Sequence, residues 1–441
     1  MKISISGIRG IFEDDLSIQI ISKYSRLFGT YLQNNFNHPT CTIARDSRPS
    51  SNIINDIVVG SILEQGINIY DLGVVPTPVL FREARKYNGS IMITASHNPL
   101  EWNGLKLLVN GRGLFEEELD KMLKNNIHPY KQIGEYYKIN ASYLDDITNY
   151  LACPNHLSSD FKVGLDFGGG ATCNYVNRLF QKYKIKYLSI NDRFGFSSRG
   201  PDPTSNPLVD LQELVKLNRL NFGFAFDMDG DRLVIINDKG ESLSPDLTLL
   251  LCISGAIQTN IKKFTISLDS SITIDKYIKN NGGEISYSKV GESNVLRKII
   301  ESNAQAGGEG SSGGFILPSF TSCRDGLLAS ILICSLNPRL INECLDLASK
   351  YMQIRTKIPI KPEINLSEFL EKISKTFTPD SYKVINEDGF KFMLDENTWT
   401  LIRPSNTEHV LRISLECDKN RINYLYKLIY GKINEIYEKI R

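Results

Sequence analysis

The stretch FGFAFDMDGDRLVII, residues 222–236, sets an acidic loop between two short apolar runs. Short apolar runs bounded by turn residues are typical of buried strands, so the stretch predicts a strand, a loop and a second strand. Carboxylates at alternate positions of an extended segment point to one side, and we expect Asp227, Asp229 and Asp231 to converge. Because crowded carboxylates repel one another unless a cation lies between them, the loop predicts a site for Mg²⁺, a hard ion that takes few protein oxygens.

A solvated acidic turn is the alternative for this loop. The flanking strands, Phe222–Phe226 and Leu233–Ile236, argue against exposure of the whole loop. A calcium-binding EF-hand is excluded, because the loop lacks that motif's full length and its terminal glutamate.

Outside this stretch, short apolar or β-branched runs alternate with longer segments of helical period, the pattern of βαβ units. It predicts an α/β fold: three βαβ-type domains with mixed, mainly parallel sheets plus a smaller α+β C-terminal domain, around a central cleft. Further predicted strands are Thr42–Ala44, Ser90–Thr94, Lys162–Asp166, Thr265–Leu268, Glu284–Ser288, Phe390–Met393 and Trp399–Ile402. Predicted helices are Ile18–Leu32, Asn52–Glu64, Leu211–Leu217 and Ile422–Ile440.

A chain of 441 residues can form several cores, because domains usually run to about 100–200 residues. Breaks in the pattern near Cys153–Asn155, Thr259–Ile261 and Pro359–Pro362 suggest four domains. The predicted domains span residues 1–155, 156–258, 259–362 and 363–441.

Composition argues against several classes of binding partner and structural site. The 51 basic and 50 acidic side chains give a formal charge of +1, so no sequence-wide field favours nucleic acid or an anionic membrane. The 8 cysteines are scattered singly, which argues against zinc and against a disulfide scaffold. With no apolar signal core at the start, and no stretch apolar for the ~20 residues that a membrane span needs, a cytoplasmic location is expected by default.

A second segment, Ile91–Pro99, is an apolar strand that ends in small and polar residues closed by Asn-Pro, a turn signal. It presents Ser96 at the C-terminal end of the strand. Lys106, shortly downstream, can bring an ammonium back over the same loop. An ordinary serine-containing turn is the alternative.

The glycine-rich segment Gly307–Gly314 frees the backbone to approach a ligand. Glu309 and the serines beside it offer acceptors and donors for sugar hydroxyls. A flexible linker is the alternative, but a linker rarely places a glutamate just ahead of a strand such as Phe315–Leu317.

The fourth segment, Arg403–His409, is followed by Arg412. Its small hydroxyl and amide side chains and successive backbone N–H groups can form an anion nest, and arginine adds a planar fork suited to phosphate. Arg412 could equally be a surface residue on a strand.

Taken in order, the four segments resemble the α-D-phosphohexomutase family, in which four domains supply one loop each: phosphoserine, metal, sugar and phosphate. The resemblance covers the whole chain. Its most specific parts are Thr-Ala-Ser-His-Asn-Pro at residues 94–99 and Asp-x-Asp-x-Asp-Arg at residues 227–232, and further matches are Ser6–Gly10, Arg45–Ser51, Pro76–Pro78 and Ser288–Gly291. It implies that the four domains carry, in order, the phosphoserine loop, the metal, the sugar-recognition loop and the C-terminal phosphate site.

The resemblance also implies a phosphohexomutase that interconverts hexose 6-phosphate and hexose 1-phosphate through a phosphoserine and a hexose 1,6-bisphosphate. Ser96 would carry the phosphoryl group, and the implied Mg²⁺ ligands are Ser96, Asp227, Asp229 and Asp231. The side chains implied around the transferring phosphate are Arg9, His97, Lys106 and Arg232. The implied substrate contacts are Glu309 with Ser311 or Ser312 for the sugar, and Arg403, Ser405, Asn406, Thr407 and Arg412 for the non-reacting phosphate.

Phosphoryl transfer needs charge neutralisation and in-line positioning, so a metal, several cations and a distal clamp are the appropriate parts. The attacked hydroxyl needs a general base, for which Lys106 is the first candidate ahead of Arg232 and His97. The sequence predicts neither the preferred sugar, among glucose, mannose and glucosamine, nor the oligomeric state.

The chain departs from the family pattern in three places. It starts only a few residues before Ser6, without the usual Phe-Gly-Thr lead-in, and His409 replaces a customary proline. The sugar loop is one residue longer than usual, which leaves open whether Ser311 or Ser312 contacts the sugar.

Two other functions are alternatives. A phosphatase of the haloacid-dehalogenase type also uses Asp-x-Asp, with Asp227 as nucleophile, but it leaves the loops of Ser96 and Arg403 unexplained. A non-catalytic sugar-phosphate-binding relative would tolerate loss of the serine or of a metal aspartate, and all of them are intact.

Overall fold

The structure is a computed structural model that describes residues 1–127, 132–151, 161–205, 207–361, 363–405 and 410–440. The chain forms two compact units, which are Met1–Thr248 with Ser312–Leu336, and Leu249–Ser311 with Asn337–Arg441. No helix in the described ranges is both long enough and apolar enough to cross a membrane.

The first unit begins with a sheet that carries the loop of Ser96. Its elements are β1 (Lys2–Ser4), β2 (Gly7–Ile11), α1 (Ile18–Asn35), β3 (Thr40–Arg45), α2 (Ser51–Glu64), β4 (Asn68–Val74), α3 (Thr77–Glu83), β5 (Gly89–Ile93), β6 (Trp102–Val109), β7 (Arg112–Gly113), α4 (Glu116–Leu123), β8 (Tyr136–Lys138) and α5 (Tyr143–Tyr150). The strand order is β1-β2-β6-β5-β3-β4-β8, with β7 paired to β6. Because β3 and β5 are parallel neighbours, the loops that follow them start at the same edge of the sheet.

A second sheet of the first unit carries the acidic loop. Its elements are β9 (Lys162–Asp166), α6 (Val176–Lys182), β10 (Lys186–Ile190), α7 (Val209–Asn218), β11 (Phe222–Phe226) and β12 (Leu233–Ile236), and α8 (Pro245–Gln258) follows. The order is β10-β9-β11-β12. β9 is parallel to β10 and β11, whereas β12 runs antiparallel to β11, so the acidic loop is the turn of a hairpin.

The rest of the chain contributes elements to both units. They are β13 (Lys263–Ser267), α9 (Ile272–Asn280), β14 (Glu284–Ser288), α10 (Glu292–Ser302), β15 (Ala306–Glu309), β16 (Gly314–Leu317), β17 (Thr321–Arg324), α11 (Gly326–Cys334), α12 (Pro338–Ser349), β18 (Tyr351–Pro359), α13 (Leu366–Phe377), β19 (Lys383–Ile385), β20 (Phe390–Asp395), β21 (Thr398–Pro404), β22 (Val410–Asp418) and α14 (Ile422–Ile440). In the second unit β13 is parallel to β14 and β15, and an antiparallel sheet has the order β18-β22-β21-β20-β19. In the first unit β16 and β17 form an antiparallel pair that leads into α11.

The predicted α/β class is confirmed by these sheets and their helices. The C-terminal antiparallel sheet packs a core that includes Phe392, Ile402 and Leu415 against helices α13 and α14. This is the α+β arrangement predicted for the end of the chain.

Candidate active site

Ser96 lies just beyond β5 in a conformation that few non-glycine residues adopt. Its φ is +53°, in the left-handed region, and its side chain is buried. The hydroxyl donates to Asp227 Oδ2 over 3.2 Å and lies 3.3 Å from His97 Nδ1. The predicted strand end and turn are thus present, and the serine contacts the acidic loop.

The three aspartates converge as predicted, but for a different reason. Residues 227–230 form a tight turn rather than an extended segment: the N–H of Gly230 donates to the carbonyl of Asp227 over 3.1 Å, and Gly230 has a φ of +73°. The expectation of an extended loop was therefore wrong. The turn brings ligand atoms of Asp227, Asp229 and Asp231 within 4.8 Å of one another, and all three side chains are buried.

The aspartate oxygens are only partly satisfied by the protein. Thr77 donates its hydroxyl to Asp229 Oδ2 over 2.6 Å, and Arg324 Nη2 donates to Asp231 Oδ2 over 2.7 Å. In the described part of the chain, Asp229 Oδ1 and Asp231 Oδ1 have no hydrogen-bond partner. Buried carboxylate oxygens that lack donors fit a hard cation such as Mg²⁺.

The electrostatics of the cluster agree with a cation site. Burial raises the pKa of Asp227 well above its usual range, and the neighbouring Asp229 and Asp231 raise it further. Burial also acts to raise the pKa of Asp231, but the cations around it, Arg324 foremost, hold that pKa below its usual range. A divalent cation would favour the ionised form of all three carboxylates.

Hydrogen bonds assign the proton on His97. Arg232 Nη2 lies 3.4 Å from His97 Nε2, and because a guanidinium can only donate, Nε2 accepts. Burial, reinforced by Arg232, lowers the pKa of His97 to about 3, so the ring is neutral and its proton is on Nδ1. The ring therefore donates to the Ser96 oxygen, which in turn donates to Asp227.

The predicted cations collect in the same unit. Arg9 donates to the carbonyls of Ala95 and Ser6, and Lys106 is buried on β6, with its ammonium 4.7 Å from the centre of the Phe81 ring. Burial raises the pKa of Asp229, and Asp231 raises it further, while the nearby Lys106 opposes that rise. Lys106 also helps Arg324 to hold the pKa of Asp231 below its usual range. The structure brings Ser96 together with each predicted catalytic and metal-binding side chain, Arg9, His97, Lys106, Arg232, Asp227, Asp229 and Asp231.

Four residues around this cluster had no role predicted from the sequence. Thr77 and Arg324 bind the aspartates, Asp202 lies 3.7 Å from Arg232, and Arg48 donates to the backbone of the serine loop. Arg48 and Thr77 lie inside segments that were noted only as family matches. In the sequence, Arg324 is marked by its position directly before Asp325, the residue that caps helix α11.

The second unit contains the predicted substrate-binding residues. Glu309, Ser311, Arg403 and Arg412 line one cavity of about 540 Å³, together with Asp269, Val290, Arg355, Thr356, Lys357, Ile413 and Ser414. The Ser311 hydroxyl donates to Glu309 Oε1 over 3.3 Å. Arginine and lysine side chains on one wall and a glutamate on the loop suit a ligand with phosphate and hydroxyl groups.

Neighbouring residues set the orientation of the two predicted arginines. Ser405 Oγ accepts from Arg412 Nε over 3.3 Å, and Asp388 Oδ2 lies 3.9 Å from Arg403 Nε. Asn406 and Thr407, also predicted here, lie outside the described residues. Ser311 lines the cavity, whereas Ser312 is buried in the first unit and is not among the lining residues.

Buried carboxylates, a serine hydroxyl beside them and a group of cations are the parts of a phosphoryl-transfer site. Comparison with known proteins supports this interpretation of the site. Three models of the phosphoglucomutase/phosphomannomutase family match the chain: alpha/beta/alpha domain I at residues 1–133, domain II at residues 141–240 and domain III at residues 244–353.

Relatives match along almost the full length. The phosphoglucomutase/phosphomannomutase of Thermococcus kodakarensis is 30% identical over 428 residues, 93% of each chain. The phosphoglucosamine/phosphogalactosamine mutase of Sulfurisphaera tokodaii is 28% identical over 452 residues, 97% of this chain and 98% of that protein. A crystal structure of a phosphoglucomutase/phosphomannomutase family protein from Burkholderia thailandensis has the same fold, with a TM-score of 0.85 at 22% identity over 99% of this chain and 98% of that one. The chain therefore belongs to the phosphoglucomutase/phosphomannomutase family, and the predicted resemblance is confirmed.

Proposed function

We propose that this hexose phosphate mutase transfers its phosphoryl group through Ser96. The observation that carries the proposal is the buried hydroxyl of Ser96, which donates over 3.2 Å to Asp227, a member of the buried aspartate cluster. A serine in that position can pass a phosphoryl group while the charge of the group is neutralised beside it.

The reaction consists of two transfers. In the first, the bond between Ser96 Oγ and phosphorus breaks, and the free hydroxyl oxygen of a hexose phosphate bonds to the phosphorus, which gives a hexose 1,6-bisphosphate. In the second, the other phosphate of the bisphosphate returns to Ser96 Oγ. The enzyme ends as it began, so a hexose 1,6-bisphosphate also serves as the activator that first phosphorylates the serine.

Protons follow the transfers. We propose that Lys106, in its neutral amine form, takes the proton of the attacking sugar hydroxyl in the first transfer. In the second transfer the resulting ammonium gives this proton to the sugar oxygen that leaves as the phosphoryl group returns to Ser96. His97 is poorly suited to that task, because its pKa of about 3 makes it a weak base at neutral pH. Its Nδ1–H instead stabilises the serine oxygen as the phosphoryl group leaves.

Asp227, Asp229 and Asp231 would hold Mg²⁺, with an oxygen of the phosphorylated Ser96 as a further ligand. The two aspartate oxygens without hydrogen-bond partners support this assignment. A bound Mg²⁺ supplies positive charge for the phosphate oxygens. Arg9 and Arg232 would add charge to the same group.

The cavity of the second unit is proposed to recognise the hexose phosphate. Arg403 and Arg412 would hold the phosphate that does not react, while Glu309 and Ser311 would bind the sugar hydroxyls. The orientation of Arg412 by Ser405 and the ion pair of Arg403 with Asp388 support a pre-formed anion site.

The test follows the fate of phosphate from a labelled hexose 1,6-bisphosphate supplied with unlabelled hexose 1-phosphate. A mutase that works through a phosphoenzyme should move label into the hexose monophosphates and release little inorganic phosphate, and Ser96→Ala should abolish both the label transfer and the isomerisation. Release of inorganic phosphate as the main product would instead indicate a phosphatase.

A further inference from the structure

Two side chains that follow β3, Asp46 and Arg48, form a buried ion pair outside the residues assigned to the reaction. Both side chains are 0% exposed, and Arg48 Nε lies 3.0 Å from Asp46 Oδ2. A buried ion pair contributes little to net stability compared with apolar packing, and in some proteins it serves to fix one arrangement of the chain.

The guanidinium of Arg48 uses every donor that it has. Nε donates to Asp46. The two terminal nitrogens donate to the backbone carbonyls of Ser96, Asn98 and Pro99 in the loop between β5 and β6, and to that of Trp102, the first residue of β6. Arginine has five N–H donors in a rigid fork, and here all five are satisfied. The loop that carries Ser96 therefore closes around one side chain.

The pair also reaches the other side of the Ser96 backbone. The N–H of Ser96 donates to Thr94 Oγ1 over 2.8 Å, and the Thr94 hydroxyl donates to Asp46 Oδ2 over 2.7 Å. The carbonyl of Ser96 accepts from Arg48, which completes a closed ring of hydrogen bonds. A non-glycine residue at φ +53° costs energy unless its surroundings hold it there, and this ring fixes both backbone groups of Ser96.

We propose that Asp46, Arg48 and Thr94 are positioning residues that hold Ser96 in its left-handed conformation and so aim its Oγ at the aspartate cluster. The inference rests on the proposed function of Ser96 as phosphoryl carrier. In-line transfer depends on the placement of the reacting oxygen to within a fraction of an ångström. The ring should therefore matter for the transfer step and not for the binding of hexose phosphate.

The test replaces Thr94, because removal of Arg48 would leave a buried carboxylate without its cation. Thr94→Val keeps the shape of the side chain and removes the hydroxyl that links Ser96 to Asp46. Thr94→Ser restores that hydroxyl. Thr42→Val is the matched control: Thr42 is also buried, on the neighbouring β3, and its hydroxyl donates to the carbonyl of Tyr70 rather than to the serine loop.

Each variant is assayed for kcat and KM with a hexose 1-phosphate, for melting temperature, and for the single-turnover rate at which a hexose 1,6-bisphosphate phosphorylates Ser96. In Thr94→Val, kcat and the phosphorylation rate should fall by about 10- to 100-fold while KM changes by less than about 2-fold. Thr94→Ser should restore both rates. Thr42→Val should lower the melting temperature as much as Thr94→Val does, but leave both rates near the wild-type values.

Unchanged rates in Thr94→Val, or an equal loss in Thr42→Val, overturn the positioning role even if wild-type Ser96 carries phosphate, and the proposed function then stands alone. Absence of phosphate on wild-type Ser96 overturns the proposed function, and this inference with it.

Discussion

Among the single residues, the aspartate cluster is bound by side chains that come from distant parts of the first unit. Thr77 begins α3 and binds Asp229, while Arg324 ends β17 and binds Asp231. Each side chain binds one oxygen of the aspartate that it contacts. The other oxygen of that aspartate has no hydrogen-bond partner among the described residues. Such partners orient metal ligands and tune their charge.

Removal of the Thr77 hydroxyl should weaken the binding of Mg²⁺ without removing a ligand. In Thr77→Val the carboxylate of Asp229 loses its orienting hydrogen bond, so the Mg²⁺ concentration for half-maximal activity should rise by about 10-fold or more. A titration of activity against Mg²⁺ measures this, with Thr42→Val as the control. An unchanged midpoint would mean that Thr77 only packs the turn.

Variants of the residues proposed to bind the non-reacting phosphate and variants of those proposed to bind the sugar should have different kinetic effects. Arg403→Ala should lower kcat/KM for glucose 1-phosphate and mannose 1-phosphate alike, by about 10- to 100-fold, because a charged hydrogen bond to phosphate is lost from both. Glu309→Gln should instead change the ratio of the two values, because it alters contacts with sugar hydroxyls. Arg339→Ala, an exposed arginine on α12, is the control. A changed ratio in Arg403→Ala would contradict the assignment to the phosphate.

Several residues of the candidate site could be predicted because their chemistry is local. Ser96 stands at a strand end next to an Asn-Pro turn, and the three aspartates share one short loop. Thr77, Arg324 and Asp202 could not be assigned a role in the same way, because each acts on a partner distant in sequence. Which of Ser311 and Ser312 lines the cavity likewise depended on where the backbone turns after β15.

At the scale of elements, most predicted strands and helices are confirmed. β9, β12, β14 and α14 have the predicted limits, because apolar runs and turn residues mark their ends. Others extend further than predicted: α1 continues to Asn35 and β3 spans Thr40–Arg45, because polar residues at their ends still take part in the backbone hydrogen bonds. The acidic loop was predicted to be extended but forms a turn, because the antiparallel pairing of β11 and β12 requires a turn between them.

Helix α11 should depend on its N-cap more than an exposed helix does. Asp325 accepts from the N–H groups of Leu327 and Leu328 and from the hydroxyls of Tyr143 and Thr321. Asp325→Ala loses the cap and leaves the buried hydroxyls unsatisfied, so we expect the free energy of unfolding to fall by about 2–4 kcal/mol. Urea unfolding measures this.

The control for that measurement is the N-cap of α12. Asn337 accepts from the N–H of Arg339, so Asn337→Ala should cost only about 1 kcal/mol. Equal losses in the two variants would show that the buried partners of Asp325 contribute nothing beyond an ordinary cap.

At the scale of the whole molecule, the chain folds into two compact units, and the four-domain division at residues 155, 258 and 362 stays a prediction. Residues 312–336 pack with the first unit although residues 249–311, which precede them, belong to the second. The sequence did not predict that residues 312–336 pack with the first unit, because this packing depends on contacts between segments that are distant in sequence. The family and its activity were nevertheless predicted, because four short motifs carry them in order.

The activity as a whole should depend on a divalent cation. Treatment with EDTA should lower turnover by about 100-fold or more, because charge neutralisation at the transferring phosphate is lost, and added Mg²⁺ should restore it. Zn²⁺ should restore less, since the cluster offers only hard carboxylate oxygens. Full turnover in the chelated enzyme would contradict a metal role for the three aspartates.

Ser96 is the proposed carrier of the phosphoryl group, and the site of phosphate on the enzyme decides whether it is. Wild-type protein is incubated with hexose 1,6-bisphosphate and digested, and the phosphorylated peptide is identified by mass spectrometry. We expect one phosphate on Ser96, and neither phosphate nor turnover in a folded Ser96→Ala variant. Phosphate on Asp227 or on another residue, or full turnover in Ser96→Ala, would contradict it.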